Sequence, residues 1–280
     1  MQIAQGFSWL NPHLTIKVDW EGETTRIEAT EPDWRKWRPS DPTSAQWYDE
    51  ARLARLMGAY IAQDQEKGRE SRTVREFISE FRGLSGTAKQ KLVLDEIDAS
   101  RVTLRAWFGE YELNRPRIVK LLRAMQAHSR PVKPKDLGLI GEEHLRARFS
   151  ANGVDEETFR YKREFVDGDV SDKQCFLPEV IEVAFGYCPE GAGRQLVAGV
   201  NWSPAINNPF RVLGRYGQSL DSFLSDQRAG NPDEPIRLVI HLASPHVNYT
   251  DRGKSALVIA GELSVDHAGD GNEDEDDGEE

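Results

Sequence analysis

The chain has 280 residues, of which 38% are hydrophobic and 30% are charged, and its formal net charge at pH 7 is −11. A chain of this length and composition can bury one sizeable core and a smaller one, as a globular protein does. It contains no apolar run of about eighteen residues and does not open with a signal peptide, so we expect a cytoplasmic protein without a membrane partner. The two cysteines and six histidines lack the spacing of a metal site, and no catalytic motif is complete. We therefore predict neither metal-binding nor catalytic residues in this chain.

The first predicted elements are two paired strands followed by an aromatic connection. Apolar residues alternate over 14–18 and 25–29 on either side of a Glu-Gly-Glu turn, a pattern that favours a β-hairpin. Residues 32–48 then contain three prolines and three tryptophans without a helical or strand period. We interpret them as an ordered connection whose aromatic rings pack against both neighbours. A stacking platform for nucleic acid, built on the alternating tryptophans and arginines of 34–38, is the alternative.

A series of helices is predicted next. Apolar residues recur at helical spacing over 53–61, and a capping box of Thr73 and Glu76 begins a second helix. Gly83 and Gly86 close that helix and allow two tight turns before a further helix begins at Thr87. The last helix of the series has Asn114 as its N-cap and an apolar stripe formed by Ile118, Leu121, Leu122 and Met125.

Basic residues gather on and after this last helix. Arg117, Lys120 and Arg123 share the side opposite the apolar stripe, and the stretch 101–148 holds eleven Lys or Arg against five acidic residues. Positive charge beside a duplex gives affinity that does not depend on sequence, through release of counterions. We therefore predict that double-stranded DNA is bound by Arg117, Lys120, Arg123, Lys133 and Lys135. The alternative is an ordinary solvated helix face.

The C-terminal part is predicted to be an α/β domain. Residues 151–174 are weakly patterned and are taken as part of a linker, whereas period-two patterns predict strands at 181–187, 195–203 and 236–242. A helix is predicted at Leu220, Phe223 and Leu224, and another after Lys254. The fold class is therefore α+β: a short β segment, a helical module, and a β-β-α-β-α domain with its helices on one face of the sheet.

Lys254 is the candidate ligand-binding residue of this domain. An ammonium beside a helix N-terminus favours an anion, and a phosphate is the obvious one. The letters Gly253-Lys254-Ser255 do not make a nucleotide P-loop, because Asn248 stands where its first glycine would be. A solvated surface lysine is the alternative.

An acidic segment ends the chain. Residues 270–280 contain eight acidic residues and no basic one, which leaves 36 basic and 39 acidic residues, a net charge of −3, in the rest of the chain. The segment has no apolar residue and is expected to be disordered. It either competes with DNA for basic surfaces or only keeps the protein soluble.

The run IRLVIHLASPHVNYTDRGKSAL resembles the segment that carries the switch lysine in the B subunit of DNA topoisomerase VI. Its matching residues are His241, Ala243, Ser244 and Lys254. The runs PEVIEVAFGY and VAGVNWSPAINNPFR resemble the preceding strands of that family's transducer domain, with Trp202 in place of the usual Arg. Residues 73–97 are similar to its helix-two-turns-helix module, and NPHLTIKVDWEG to the last strands of its ATPase domain.

This resemblance implies domains with the following bounds: the end of an ATPase-type domain and a connection at 1–40, a helix-two-turns-helix-like module at 41–150, a linker at 151–175, a transducer-like domain at 176–265 and the acidic tail at 266–280. It implies a part of an ATP-dependent topoisomerase, an isomerase, in which Lys254 contacts the γ-phosphate of ATP. ATP with magnesium would be held by an ATPase core that we do not find in this chain. The implied partners are that core, a cleavage subunit of the A type, and a second copy in a homodimer formed through the ATPase domain.

Two other functions are consistent with the sequence. One is a DNA-binding or scaffold protein without enzymatic activity that retains the transducer fold. The other is a different transducer-bearing ATPase, of DNA repair or defence.

Overall fold

The computed structural model describes residues 2–109, 112–169, 176–191, 193–210, 233–250 and 256–258. Within them the chain forms a helical part and a five-stranded mixed sheet, so the predicted α+β class is confirmed. The proposed domain boundaries stay predictions.

Seven α-helices occur in the described residues. Their bounds are α1 Gln2–Leu10, α2 Glu50–Glu66, α3 Val74–Ser79, α4 Thr87–Ile97, α5 Leu104–Phe108, α6 Arg115–His128 and α7 Glu142–Ser150. Helices α2 to α6 enclose a core of their own, to which the predicted stripes of α2 and α6 both contribute buried residues. The series of helices predicted between 53 and 125 is confirmed.

The helix ends follow the local signals in the sequence. Thr73 and Glu76 form the predicted capping box, in which each side chain accepts a hydrogen bond from the other residue's backbone amide. The Asn114 side chain accepts from the Arg117 amide at the start of α6. Gly86 is the N-cap of α4, and Gly83 has a positive φ of 80° in the turn before it. Helices α3 and α4 therefore have the predicted helix, two turns, helix arrangement.

The β elements comprise a hairpin, a five-stranded sheet and a second small pair. Their bounds are β1 Ile16–Trp20, β2 Glu23–Ile27, β3 Arg160–Asp169, β4 Phe176–Tyr187, β5 Gln195–Val200, β6 Ser203–Pro204, β7 Ile236–Ala243, β8 Asn248–Tyr249 and β9 Leu257–Val258. The predicted hairpin is confirmed as β1 and β2. The five-stranded sheet has the order β3-β4-β7-β5-β6, in which β7 runs antiparallel to β4 and parallel to β5.

The two faces of the sheet are both covered. Ile181 on β4 and Leu238, Ile240 and Leu242 on β7 form one core with Leu257, which confirms the predicted period-two faces. The opposite face of the same strands packs against α1, α7 and the aromatic connection. Gly186 lies under α7, where a Cβ would collide with Val154, so the absence of a side chain lets the layers approach.

The aromatic connection belongs to this second core, as predicted. Trp47 is 6% exposed and packs edge-on against Trp37, with ring centroids 5.3 Å apart. The Trp34 indole donates to the Leu139 carbonyl at 2.5 Å and packs against Trp202. The connection therefore holds the segment that follows α6 against the sheet, which favours the packing interpretation of its tryptophans.

Several predicted features differ from the structure. The segment taken as a linker contains the ten-residue strand β3, because pairing with β4 supplies the order that its weak apolar pattern does not. The apolar helix predicted after Lys254 is wrong at Leu257 and Val258, which form β9 and pair with β8. Helix α1 was not predicted. The helix predicted at Leu220, Phe223 and Leu224 and the acidic tail lie outside the described residues.

A buried histidine joins α7 to the N-terminal elements. His144 is fully buried, its Nε2 atom donates to the Trp9 carbonyl at 3.0 Å, and its Nδ1 atom contacts the Thr30 hydroxyl. Burial, opposed only in part by the hydrogen bond to Trp9, lowers the pKa of His144 to about 4. The neutral ring is therefore the one that fits this site.

We predict that His144 makes the fold sensitive to acid. Its pKa is lowered on folding from 6.5, so the unfolded chain takes up the proton first and stability falls as pH drops from about 6.5 to about 4. The loss of unfolding free energy should reach about 3 kcal/mol at about pH 4. Urea unfolding at several pH values measures the free energy of unfolding as a function of pH. This free energy should fall less steeply towards low pH for His144→Gln than for the parent, even if the variant is less stable at pH 7. Parallel curves for the two proteins would contradict the assignment.

Candidate functional site

The carboxyl ends of β5 and β7 meet at a tight turn. Asn201 and Trp202 join β5 to β6 and have positive φ values of 48° and 63°. Positive φ values at two successive residues are typical of the two-residue hairpin turn whose backbone twist matches that of the strands it joins. Asn tolerates this conformation, whereas a bulky Trp adopts it only when its surroundings enforce it.

Asn201 fixes the end of β7 to this turn. Its side-chain Nδ2 donates to the Ser244 carbonyl and its Oδ1 accepts from the Ser244 amide, both at 2.9 Å. Its own amide donates to the Leu242 carbonyl at 2.8 Å. These three bonds extend the pairing of β5 and β7 beyond the last ladder residues. The loop that follows Ser244 therefore starts from a defined position.

A buried carboxyl group supports the same loop. Glu179 lies 2.9 Å from the Ser244 hydroxyl, which also contacts the carbonyl and amide of His246. Burial raises the pKa of Glu179, and the bond to Ser244 offsets this only in part. The single hydroxyl proton of Ser244 points either to Glu179 or to the His246 carbonyl, and the His246 amide donates to the same hydroxyl oxygen.

Glu182 is the most highly connected buried group of the site. Its side chain is 0% exposed, and its two oxygens accept from the amides of Ile140 and Gly141, each at 2.9 Å. The Tyr161 hydroxyl donates to it at 2.8 Å. Burial would raise the pKa of Glu182, but His241 and the two amides outweigh burial and lower it below its ordinary value. The group is therefore held as a carboxylate.

His241 extends this contact to the turn. Its Nδ1 lies 3.4 Å from Glu182, and its Nε2 accepts a hydrogen bond from the Trp202 amide at 3.1 Å. An imidazole nitrogen that accepts carries no proton, so the proton of a neutral His241 is on Nδ1, beside the carboxylate. Glu182 and His241 together thus connect the segment at 140–141 with the turn at Trp202.

Trp202 is enclosed from the N-terminal side. It is 3% exposed, its carbonyl accepts from the Asn11 side chain at 2.8 Å, and its ring packs on His241. The Lys36 ammonium lies 5.5 Å from the centre of that ring and donates to Asn11 at 2.6 Å. Trp202 is therefore a buried packing residue of this turn.

The loop after β7 leads towards the predicted switch lysine. Tyr249 on β8 pairs with Leu257 on β9, and the Thr250 amide donates to the Ala256 carbonyl at 2.9 Å. Residues 251–255, which include Lys254, lie between these two partners in the chain but outside the described residues. The assignment of Lys254 stays a prediction.

The predicted DNA-binding residues are all exposed. Arg117 is engaged within the helical part, because its guanidinium donates to the Ala106 carbonyl at 3.1 Å and lies over the Trp107 ring. Lys120 and Arg123 on α6, and Lys133 and Lys135 in the segment after it, form no ion pair among the described residues. We call these four residues the basic strip. Their role in binding stays a prediction.

A cleft of about 480 Å³ lies between the aromatic connection, α2 and the loop after β7. Its lining includes Trp37, Tyr48, Arg52, Arg55 and His246. It therefore places basic and aromatic side chains next to the loop that leads to Lys254. The sequence did not reveal it, because its walls come from segments that are distant in the chain.

The buried glutamates were also missed from the sequence, although the predicted period-two strand at 181–187 puts Glu182 on the face opposite Ile181. A period-two pattern with a glutamate on one face normally indicates exposure to solvent. The described residues contain no group of three or more His, Cys, Asp or Glu side chains able to hold a metal ion. No helix among them is long and apolar enough to cross a membrane.

Comparisons with known proteins give little further information. No protein-family model matches the chain, and no curated protein matches it. Among solved structures, a part of the chain is similar to the B subunit of DNA gyrase from Myxococcus xanthus, with 14% identity and a TM-score of 0.27. That match covers 42% of this chain and 33% of the gyrase chain, so it spans about a third of that subunit. A score this low does not establish a common fold.

Proposed function

We propose that the chain binds duplex DNA and serves as the DNA-facing and transducer part of a B-subunit-like component of a type IIB topoisomerase. The observation that carries the DNA-binding half is the basic strip on and after α6. The four side chains are exposed, and none is neutralised by an acidic partner among the described residues. The nearby carboxylates of Glu96 and Asp136 are already paired, with His128 and Arg82.

The position of the strip is suited to a backbone contact. Lys120 and Arg123 follow each other on one side of α6, about 4.5 Å apart along its axis, and Lys133 and Lys135 come next in the chain after the helix ends. Phosphate contacts of this kind carry no sequence information. The proposed binding is therefore strong at low salt and indifferent to base sequence.

The coupling to nucleotide rests on the anchored loop after β7. The three hydrogen bonds of Asn201 and the buried Glu182 and His241 fix the strand end from which the chain proceeds to Lys254. In the proposed mechanism, Lys254 would contact the γ-phosphate of ATP held with magnesium by a separate ATPase core. Loss of that phosphate on hydrolysis would change the orientation of the sheet relative to the core. DNA cleavage would belong to an A-type partner subunit.

A predicted loss of salt dependence tests the DNA-binding half. Replacing the four residues of the basic strip by alanine should weaken binding to unrelated duplexes equally and flatten the slope of log K against log salt by about 3 to 4 units. Fluorescence titration of labelled duplexes at several salt concentrations measures both. An unchanged slope would reduce the strip to an ordinary solvated face.

The matched control removes the same number of positive charges elsewhere. It replaces by alanine four exposed basic residues that each already pair with an acid, namely Lys17, Arg26, Arg146 and Lys162. This control should keep nearly the parent's slope. An equal loss in both variants would show that only net charge matters.

The role of Lys254 requires an assembly that supplies the ATPase core. There, Lys254→Ala should lower ATP turnover at least tenfold, because a charge-assisted contact contributes about 1.5 to 3 kcal/mol. Lys254→Arg should not restore turnover fully, since a planar guanidinium replaces a compact ammonium poorly. Arg252→Ala is the control and should turn over ATP like the parent. Parent-like turnover by Lys254→Ala would contradict the assignment. So would a loss of ATP turnover that urea titration traces to unfolding of the variant.

A further inference from the structure

We infer that the acidic C-terminal segment 270–280 docks on the basic strip of its own chain and competes there with DNA. The inference rests on the proposed DNA-binding function of that strip. It starts from a charge imbalance. Eight carboxylates lie within eleven residues of the segment, with no basic residue among them.

The strip is the complementary surface. Lys120, Arg123, Lys133 and Lys135 are exposed and lack an acidic partner among the described residues. Arg130, which lies between Arg123 and Lys133 in the chain, is also exposed and forms no ion pair among the described residues, whereas Arg26 faces Glu28. A polyanionic segment gains most where positive charges are not yet neutralised.

The length of the chain permits the contact. Val258 is the last residue that the structure describes, and 22 residues follow it. Fully extended, they span about 70 Å. A folded body of this size has a radius of gyration of about 18 Å, so 22 residues are long enough to reach across much of its surface.

The contact does not need a high intrinsic affinity. A tethered segment is present at an effective concentration on the order of millimolar. Even weak ion pairing, with a dissociation constant of about 0.1 to 1 mM, would then occupy the strip for a large part of the time. DNA would have to displace the segment, which would lower its apparent affinity about two- to tenfold at low salt and less at high salt.

The experiment compares three full-length proteins. The first is the parent. The second has the eight acidic residues of 270–280 replaced by Asn or Gln. The third, which controls for net charge, keeps the segment and carries the same replacements at eight exposed acidic residues of the body: Glu21, Glu23, Asp33, Glu66, Glu70, Glu156, Glu157 and Glu190.

Two independent signals are measured on each protein. One is the affinity for a 5′-labelled duplex at low and high salt. The other is carbodiimide cross-linking without DNA, with mass spectrometry to locate bonds between carboxylates of the segment and Lys120, Lys133 or Lys135. We expect the second protein to bind DNA two- to tenfold more tightly than the third at low salt, and we expect the cross-links in the first and third only.

The outcomes separate this inference from the proposed function. Equal DNA affinity of the second and third proteins, with no cross-link to the strip, would overturn the docking while leaving DNA binding intact. Cross-links to the strip in a protein that binds no DNA would support the docking and refute the proposed function. Cross-links that duplex DNA removes would support both.

Discussion

The arrangement of this protein depends on one buried carboxylate, Glu182. It lies in the second strand of the sheet, has no exposed surface, and is kept ionised by His241 and by the amides of Ile140 and Gly141. A buried charge is tolerated only when several donors compensate for the water that it has lost. The segment after α6 must therefore approach the sheet in the one position where its two amides reach this side chain. The relation between the helical part and the sheet follows from that requirement.

The same carboxylate supports the end of the sheet at which the loop after β7 begins. His241 stands between Glu182 and the Trp202 amide, and it thereby supports a turn whose bulky residue has a positive φ. Such a backbone costs on the order of 1 to 3 kcal/mol, and enclosure of Trp202 by Asn11, Lys36 and His241 offsets it. Because Asn201 in this turn also holds Ser244, the start of the loop after β7 is tied indirectly to the segment that carries Lys133 and Lys135. A series of contacts thus joins the segment that carries Lys133 and Lys135 to the start of the loop after β7.

Sequence patterns predicted the parts of this fold that are set locally. The caps at Thr73 and Asn114 are decided within one helical turn, and the stripe of α6 and the faces of β7 follow from their periods. Strand β3 was missed because its order comes from pairing with β4, and the strand at Leu257 was taken for a helix because a short apolar run does not distinguish the two. The burial of Glu182 could not be predicted, since the segment that covers it is about 40 residues away in the chain. The predicted site residues show the same contrast between local and distant causes. Lys120 and Arg123 lie on the side of α6 where the helical period puts them, but Arg117 packs over the Trp107 ring, a contact that the period does not predict.

The central claim is that an ionised Glu182 holds the two parts together, and urea unfolding of two isosteric variants tests it most directly. Glu182→Gln turns an amide donor towards backbone donors and should lower the free energy of unfolding by about 3 kcal/mol. Glu179→Gln is the matched control: the Ser244 hydroxyl, which donates to Glu179, can donate to an amide oxygen as well, so this change should cost below about 1 kcal/mol. In the same samples, hydrogen exchange at the amides of Ile140 and Gly141 should accelerate only in Glu182→Gln. Equal stabilities of the two variants, with unchanged exchange at these amides, would contradict the account.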